Sequence, residues 1–150
     1  MNLRLNLGSG GLIAEGWVSV DICPPADIIA NLNKTWPWVT SSVSQIVMND
    51  VIEHLNDKIY VMNEISRVLR SGGLLQISVP STDGRGAFQD PTHVTFWNEN
   101  SWRYFDVGSN EFKRFAESYG IRTNLQLEAQ ERVEGPEKVI HTRVVFKSAK

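Results

Sequence analysis

The residues best placed to do chemistry together lie in the first 21 positions: the run LGSGG at 7–11, and Asp21 at the end of WVSVD. Gly8 and Gly10 carry no side chains. The backbone there can turn sharply and approach a ligand closely, with amides free to face it. A carboxylate at the end of a neighbouring strand offers two oxygens that can accept both hydrogen bonds of a ribose diol. Glycines that admit a nucleoside, answered by an acid that holds its sugar, are the chemistry this spacing implies. A G-x-G pair alone is weak evidence, and a plain strand-to-loop turn reads the same way. The dinucleotide fingerprint also fails, because the residue that should be its third glycine is Ile13. No helix follows the glycines to meet a pyrophosphate, so a nucleoside ligand without phosphates fits better than a nicotinamide dinucleotide.

The elements that must position these residues can be read from periodicity. Residues 57–70, DKIYVMNEISRVLR, place Val61, Met62, Ile65, Val68 and Leu69 on one stripe, which predicts a helix capped by Asn56 or Asp57 and ended by Gly72. NEFKRFAESY, residues 110–119, predicts a second helix between Ser109 and Gly120. Short apolar runs at 3–7, 17–21, 27–30, 44–49 and 73–79 read as strands, and NLQLEAQE with VIHTRVVF reads as a hairpin around EGPEK. A strand, a helix and a strand in succession imply a right-handed parallel pair, so the class is α/β with a mostly parallel, Rossmann-like sheet and an antiparallel C-terminal hairpin.

Only nine residues separate Leu7 from Trp17 and five separate Asp21 from Asp27, whereas a parallel crossover takes about a dozen or more. The strands also carry Arg4, Asn6, Ser19, Gln45, Gln76 and Ser78 in one phase, although a doubly covered parallel strand is almost wholly apolar. Both observations predict a sheet with reduced helical cover on one face. That face is expected to be thinly covered, wet, or used by a second copy in a homodimer.

LNLGSG, VSVDI, SQIVMNDVIEHL and NEISRVLRSGGLLQISVP, in that order over residues 3–80, resemble the class I S-adenosylmethionine-dependent methyltransferases. The likeness is to the small enzymes with a D-V-I-E-H-L segment followed by R-V-L-x-x-G-G. The resemblance implies a seven-stranded sheet and S-adenosyl-L-methionine as cofactor. It implies that Gly8, Ser9 and Gly10 border the methionine part, Asp21 binds the ribose hydroxyls, and Ile22 packs on the adenine. Asn31 and Leu32 stand where the family has an acid and an apolar residue near the adenine amino group. Asn49 and Asp50 would face the methionine and the reacting methyl. The family's helices after the glycine loop and after the second strand have no room here.

The resemblance also places STDGRGAFQDPTHVTFWNENSWRYF, after Pro80, beside a methyl acceptor. His93 is the histidine whose position there suits a general base, with Asp90 to orient it; a loop histidine bonded to backbone is the plainer alternative. Phe88, Phe96, Trp97, Trp102, Tyr104 and Phe105 either line an acceptor pocket or anchor the loop. His54 reads as structural, and His141 as a surface residue of the last strand.

Composition bounds the rest. The 150 residues suffice for a single domain spanning 1–150, with 41% hydrophobic and 21% charged residues. A net charge of −2 gives no field to attract nucleic acid or an anionic membrane. One cysteine, Cys23, allows no internal disulfide, the start lacks a secretion pattern, and no apolar run could span a bilayer, so a cytoplasmic protein is expected. The histidines and the cysteine show no close ligand spacing, which predicts no metal site. The functional expectation is methyl transfer from S-adenosylmethionine to a small-molecule or glycan-like acceptor. A catalytically silent module that keeps the cofactor pocket and a nicotinamide-dependent oxidoreductase are the alternatives.

Overall fold

The computed structural model describes residues 2–150. Strands β1 (Leu3–Leu7), β2 (Val18–Asp21), β3 (Ile28–Ile29), β4 (Val43–Asn49), β5 (Leu69–Pro80), β6 (Leu125–Glu134) and β7 (Ile140–Ser148) form one sheet. Its order is β3-β2-β1-β4-β5-β7-β6, parallel from β3 to β5, with β7 antiparallel between β5 and β6. The C-terminal hairpin thus inserts its second strand beside β5. The α/β class and the mostly parallel sheet stand as the sequence predicts.

Register sets one apolar layer. Leu5 pairs with Ile46 and Leu7 with Met48; Ile46 meets Leu75 and Met48 meets Ile77; Phe146 and Val144 continue the two rows. All of these side chains are buried in one core cluster. Helix α1 (Lys58–Val68) lies over that layer through Val61, Met62, Ile65 and Val68, none of which touches solvent. Its N-terminus is held by the Asp57 carboxylate, which accepts from the Tyr60 amide at 2.9 Å. Helix α1 does not run on to Gly72. Leu69 turns extended and opens β5 directly, because its buried side chain serves the strand pairing with Val43. Gly72, at φ +69, lies inside that strand.

Helix α3 (Asn110–Tyr119) starts at Ser109 and ends at a left-handed Gly120, as its sequence predicts. The stretch between β5 and α3, read as a loop, folds into a short helix α2 (Gly86–Gln89) and a 3-10 segment, Glu99–Phe105. Trp97 and Trp102 stack at 4.5 Å and are buried, each with its indole N–H on a threonine hydroxyl, Thr95 and Thr142 respectively. They are anchors. Phe88 and Phe96 stack on each other at 5.3 Å and remain exposed.

The opposite face of the sheet has lost its helices. Gln76 pairs with Val145 and Ser78 with Arg143, and with Asn49 and Gln130 these residues line an open hollow of 770 Å³. At the β1 end the cover is thin: the Arg4 Nε donates to the Gly16 carbonyl, and its guanidinium lies 5.1 Å from the Trp17 ring. Ser19 is shielded by Asp27, whose carboxylate accepts from the Ser19 amide at 2.8 Å and its hydroxyl at 2.7 Å. No helix among the described residues is long and apolar enough to cross a membrane.

Candidate functional site

A slot of 340 Å³ opens at the carboxyl ends of β1, β2 and β4, and Gly8, Gly10, Asp21, Ile22, Asn31 and Leu32 line one side of it. Asp50, Val51, His54 and Leu55 line the other. The volume falls at the lower end of the range for small-ligand sites. Seven of the nine residues that the resemblance assigned to the cofactor therefore meet at one place. Ser9 and Asn49 do not. Ser9 is buried behind the loop, and Asn49 belongs to the hollow on the open face.

Gly8 and Gly10 are required for different reasons. Both have positive φ, +68 and +58. A Cβ on Gly8 would stand 2.2 Å from Val51 Cγ2, so this glycine lets the β1 loop close on the turn after β4. A Cβ on Gly10 would meet nothing within 4 Å and would enter open space. The amides expected to face a ligand are used by the protein itself: those of Gly8 and Ser9 donate to the Val20 carbonyl. The Gly10 amide donates to Asp21 Oδ2 at 2.8 Å. Asp21 accepts also from the Cys23 amide at 3.2 Å. Partial burial pushes its carboxyl up, but the Gly10, Cys23 and Ile22 amides outweigh this and hold it below the ordinary carboxylate value. Asp21 is thus an ionised brace of the glycine loop as well as a wall of the slot. A carboxylate has about four lone-pair sites, so with three amides bound at least one remains for a ligand.

Ile22 is 62% exposed although apolar, and it forms a shelf at the slot. The Asn31 carbonyl oxygen accepts from the Asn33 amide at 2.9 Å, which leaves one of its lone pairs and the NH₂ for a ligand. Leu32 is buried, and its carbonyl accepts from the Trp36 indole. Asp50 sits at φ +54, and one of its oxygens lies 2.9 Å from His141 Nε2. The fold therefore turns His141 from a plain surface residue into a partner of the slot wall, because β7 runs antiparallel to β5 and brings it opposite Pro80.

Beyond His54 lies a second group. The chain at 94–95 is strapped to the 3-10 turn Ile52–His54: the Val94 and Thr95 amides both donate to the Glu53 carbonyl. His93 is carried over the turn and packs edge-on against His54, with ring centroids 4.8 Å apart. Its Nδ1 lies 2.9 Å from the Ala87 carbonyl, while Nε2 is 3.7 Å from Asp90 Oδ2 and 4.0 Å from Glu53 Oε1. The ring is therefore oriented by a backbone carbonyl, and Asp90 faces the other nitrogen. Thr92, through hydroxyl and amide, holds Asp90 below the usual carboxylate value. Glu53 is 2% exposed, and burial pushes its carboxyl up to about 7. Sequence spacing predicted no metal site, yet Glu53, His54 and His93 converge here. Distance along the chain hid a grouping made by the loop after β5. The Glu53 carboxylate was missed for the same reason, and its place between two apolar residues, Ile52 and Leu55, was the one sequence signal of burial.

Residues 16–77 match the family profile described as "Methyltransferase domain". A comparison with curated proteins yields no match. Among solved structures, a 1,6-didemethyltoxoflavin-N1-methyltransferase from Burkholderia thailandensis, with bound 1,6-didemethyltoxoflavin and S-adenosylhomocysteine, is 13% identical at a TM-score of 0.66. The match covers 99% of this chain and 71% of that one. A SAM-dependent methyltransferase from Methanosarcina mazei is 12% identical at a TM-score of 0.66, over 98% of this chain and 92% of its own. Another from Archaeoglobus fulgidus is 11% identical at 0.63, over 97% and 86%. Almost the whole chain thus shares the Rossmann-like fold of these methyltransferases, and the matched family segment spans β2 to β5.

Proposed function

We propose that this protein is a class I methyltransferase that transfers a methyl group from S-adenosyl-L-methionine to a small-molecule or glycan-like acceptor. The observation that carries the reading is the slot, where a loop with open space at Gly10, an ionised Asp21 and a bare Ile22 shelf meet at the carboxyl ends of parallel strands. These residues fit an adenosine: Asp21 accepts from ribose hydroxyls, Ile22 covers one face of the base, and Asn31 offers N–H donors at its edge. Gly8, Gly10 and Asp50 border the end left for the amino-acid part. The cofactor supplies an electron-poor methyl on sulfur. The chain supplies position, holding an acceptor in line and about 3 Å from that methyl.

The acceptor side is the wall formed by His54 and the group behind it. His93, with Asp90 beside it, is the group proposed to take the acceptor's proton. Its Nδ1–H is fixed on Ala87, so a neutral ring presents the Nε2 lone pair. The silent-module reading keeps the slot without the transfer, and it is favoured by the uncovered sheet face, which a partner or a second copy could use. The nicotinamide reading loses ground because residues 11–17 form no helix to meet phosphates.

Incubation of the protein with methyl-labelled cofactor and small-molecule fractions of a cell extract tests the proposal. Label should pass to a low-mass product and fall at least tenfold with Asp21→Ala. Tight cofactor binding with no label transferred to any fraction would establish the silent module instead.

A further inference from the structure

The hydrogen-bond directions around Glu53, His54 and His93 can be worked out. The Ala87 carbonyl can only accept, so His93 carries its proton on Nδ1 and a neutral ring keeps a lone pair on Nε2. The Thr92 hydroxyl donates to Asp90 Oδ1 at 2.7 Å, so towards His54 it can only accept. His54 therefore donates from Nδ1 and also keeps its lone pair on Nε2. Glu53 has both carboxylate oxygens buried, and neither has a hydrogen-bond partner among the described residues. With Glu53 ionised and the His93 ring neutral, the carboxylate and His93 Nε2 thus face each other at 4.0 Å with no donor between them, and His54 packs beside them. Buried polar groups are otherwise almost always satisfied, and a carboxylate sunk without a partner is costly.

We propose that Glu53, His54 and His93 form a binding site for a divalent transition cation. One ligand atom from each residue lies within 4.8 Å of the other two. Donors on one tetrahedral zinc-sized ion lie about 3.4 Å apart, so side-chain closure by up to about 1.4 Å completes the set. Two imidazoles and a carboxylate suit Zn²⁺, Co²⁺, Mn²⁺ or Fe²⁺ better than the all-oxygen cations. Ala87 and Thr92 fix the histidine rings from behind, the usual arrangement around metal-bound imidazole. Asp90 Oδ2, 3.7 Å from His93 Nε2, is placed to join the set. Because His54 also lines the slot, a cation held here would lie next to the wall assigned to the acceptor. The site then selects an acceptor that presents a hydroxyl oxygen, whose proton a bound cation makes easier to lose. This last step rests on the methyltransferase reading; the cation site does not. With the ion bound, His93 would hold the metal instead of acting as the base, and the acceptor's proton would pass to solvent water.

The test is calorimetric titration of the chelator-treated full chain with Co²⁺ and with Zn²⁺, without any cofactor present. The expected result is saturable uptake of one ion per chain, a rise in melting temperature with added metal, and at least tenfold weaker binding in Glu53→Gln and in His93→Ala. Cooperative melting shows that each variant is folded, and His54→Ala replaces any that is not. No saturable uptake by the folded parent, or unchanged affinity in folded variants, would overturn the inference. Binding of S-adenosylhomocysteine without metal uptake would remove only the cation site. Metal uptake without such binding would remove only the methyltransferase reading.

Discussion

Two glycines two residues apart answer to different forces, and paired substitutions separate them. Gly8→Ala adds left-handed strain and drives a methyl into Val51, so it should cost about 2–4 kcal/mol in urea denaturation. Gly10→Ala meets no neighbour and should cost about 1–2 kcal/mol, the strain alone. Equal losses would mean that Val51 yields freely. Glu53 gives the opposite sign. Its buried carboxylate is unpartnered, so Glu53→Gln should stabilise the metal-free protein by about 1–2 kcal/mol at pH 8. A loss of stability would indicate a donor that satisfies it. At this scale the sequence exposed the glycines and Asp21, because strand-end position and residue type coincide. It hid the use of the loop amides, which depends on how β2 pairs with β1. It also hid Glu53 and His141, whose neighbours come from distant parts of the chain.

Helix α1 is the element that turns a sheet face into a core. Ile65 is fully buried over the β4 and β5 rows, so Ile65→Ala should cost about 2–5 kcal/mol by equilibrium unfolding. A loss under 1 kcal/mol would show that the helix contributes little. On the other face, Asp27 does part of the work of a missing helix by satisfying Ser19. The Ser19 amide and hydroxyl hold its carboxyl below the ordinary value. A depressed folded pKa means that the native state favours the ionised form. This stabilisation is present above the ordinary carboxylate range and is lost as pH falls through the folded value. Asp27→Asn should therefore lower stability at neutral pH and flatten the acid limb of the stability curve, a comparison that urea titrations at several pH values can make. Helix periodicity was legible for α1 and α3 because each has a clean stripe and a capping residue. The end of α1 was not, because Leu69 suits both helix and strand and the pairing of β5 decided it. The Trp97 and Trp102 anchors were equally ambiguous in sequence, since aromatics of a pocket and of a core look alike.

The whole molecule is a one-sided version of its fold. Short connections after β1 and β2 and a polar phase in the strands predicted the bare face correctly, because both features report on the same lost helices. With Gln76 in water, Gln76→Lys should change stability by less than about 0.5 kcal/mol. A loss of 2 kcal/mol or more would show that another chain covers this face, the homodimer that the sequence left open. The acceptor's identity was never legible. On the proposed reading it would be set by the long segment after β5, whose fold follows from tertiary contacts.

The central claim is that the slot between the glycine loop, Asp21 and Asp50 is made for adenosine joined to a sulfonium amino acid. Calorimetric titration of the parent and of Asp21→Ala with S-adenosylmethionine and S-adenosylhomocysteine tests it directly. The account predicts one-to-one binding of both ligands, weakened about 10–100-fold in the variant, the loss expected when hydrogen bonds to a charged group are removed. A folded parent that binds neither ligand would contradict it.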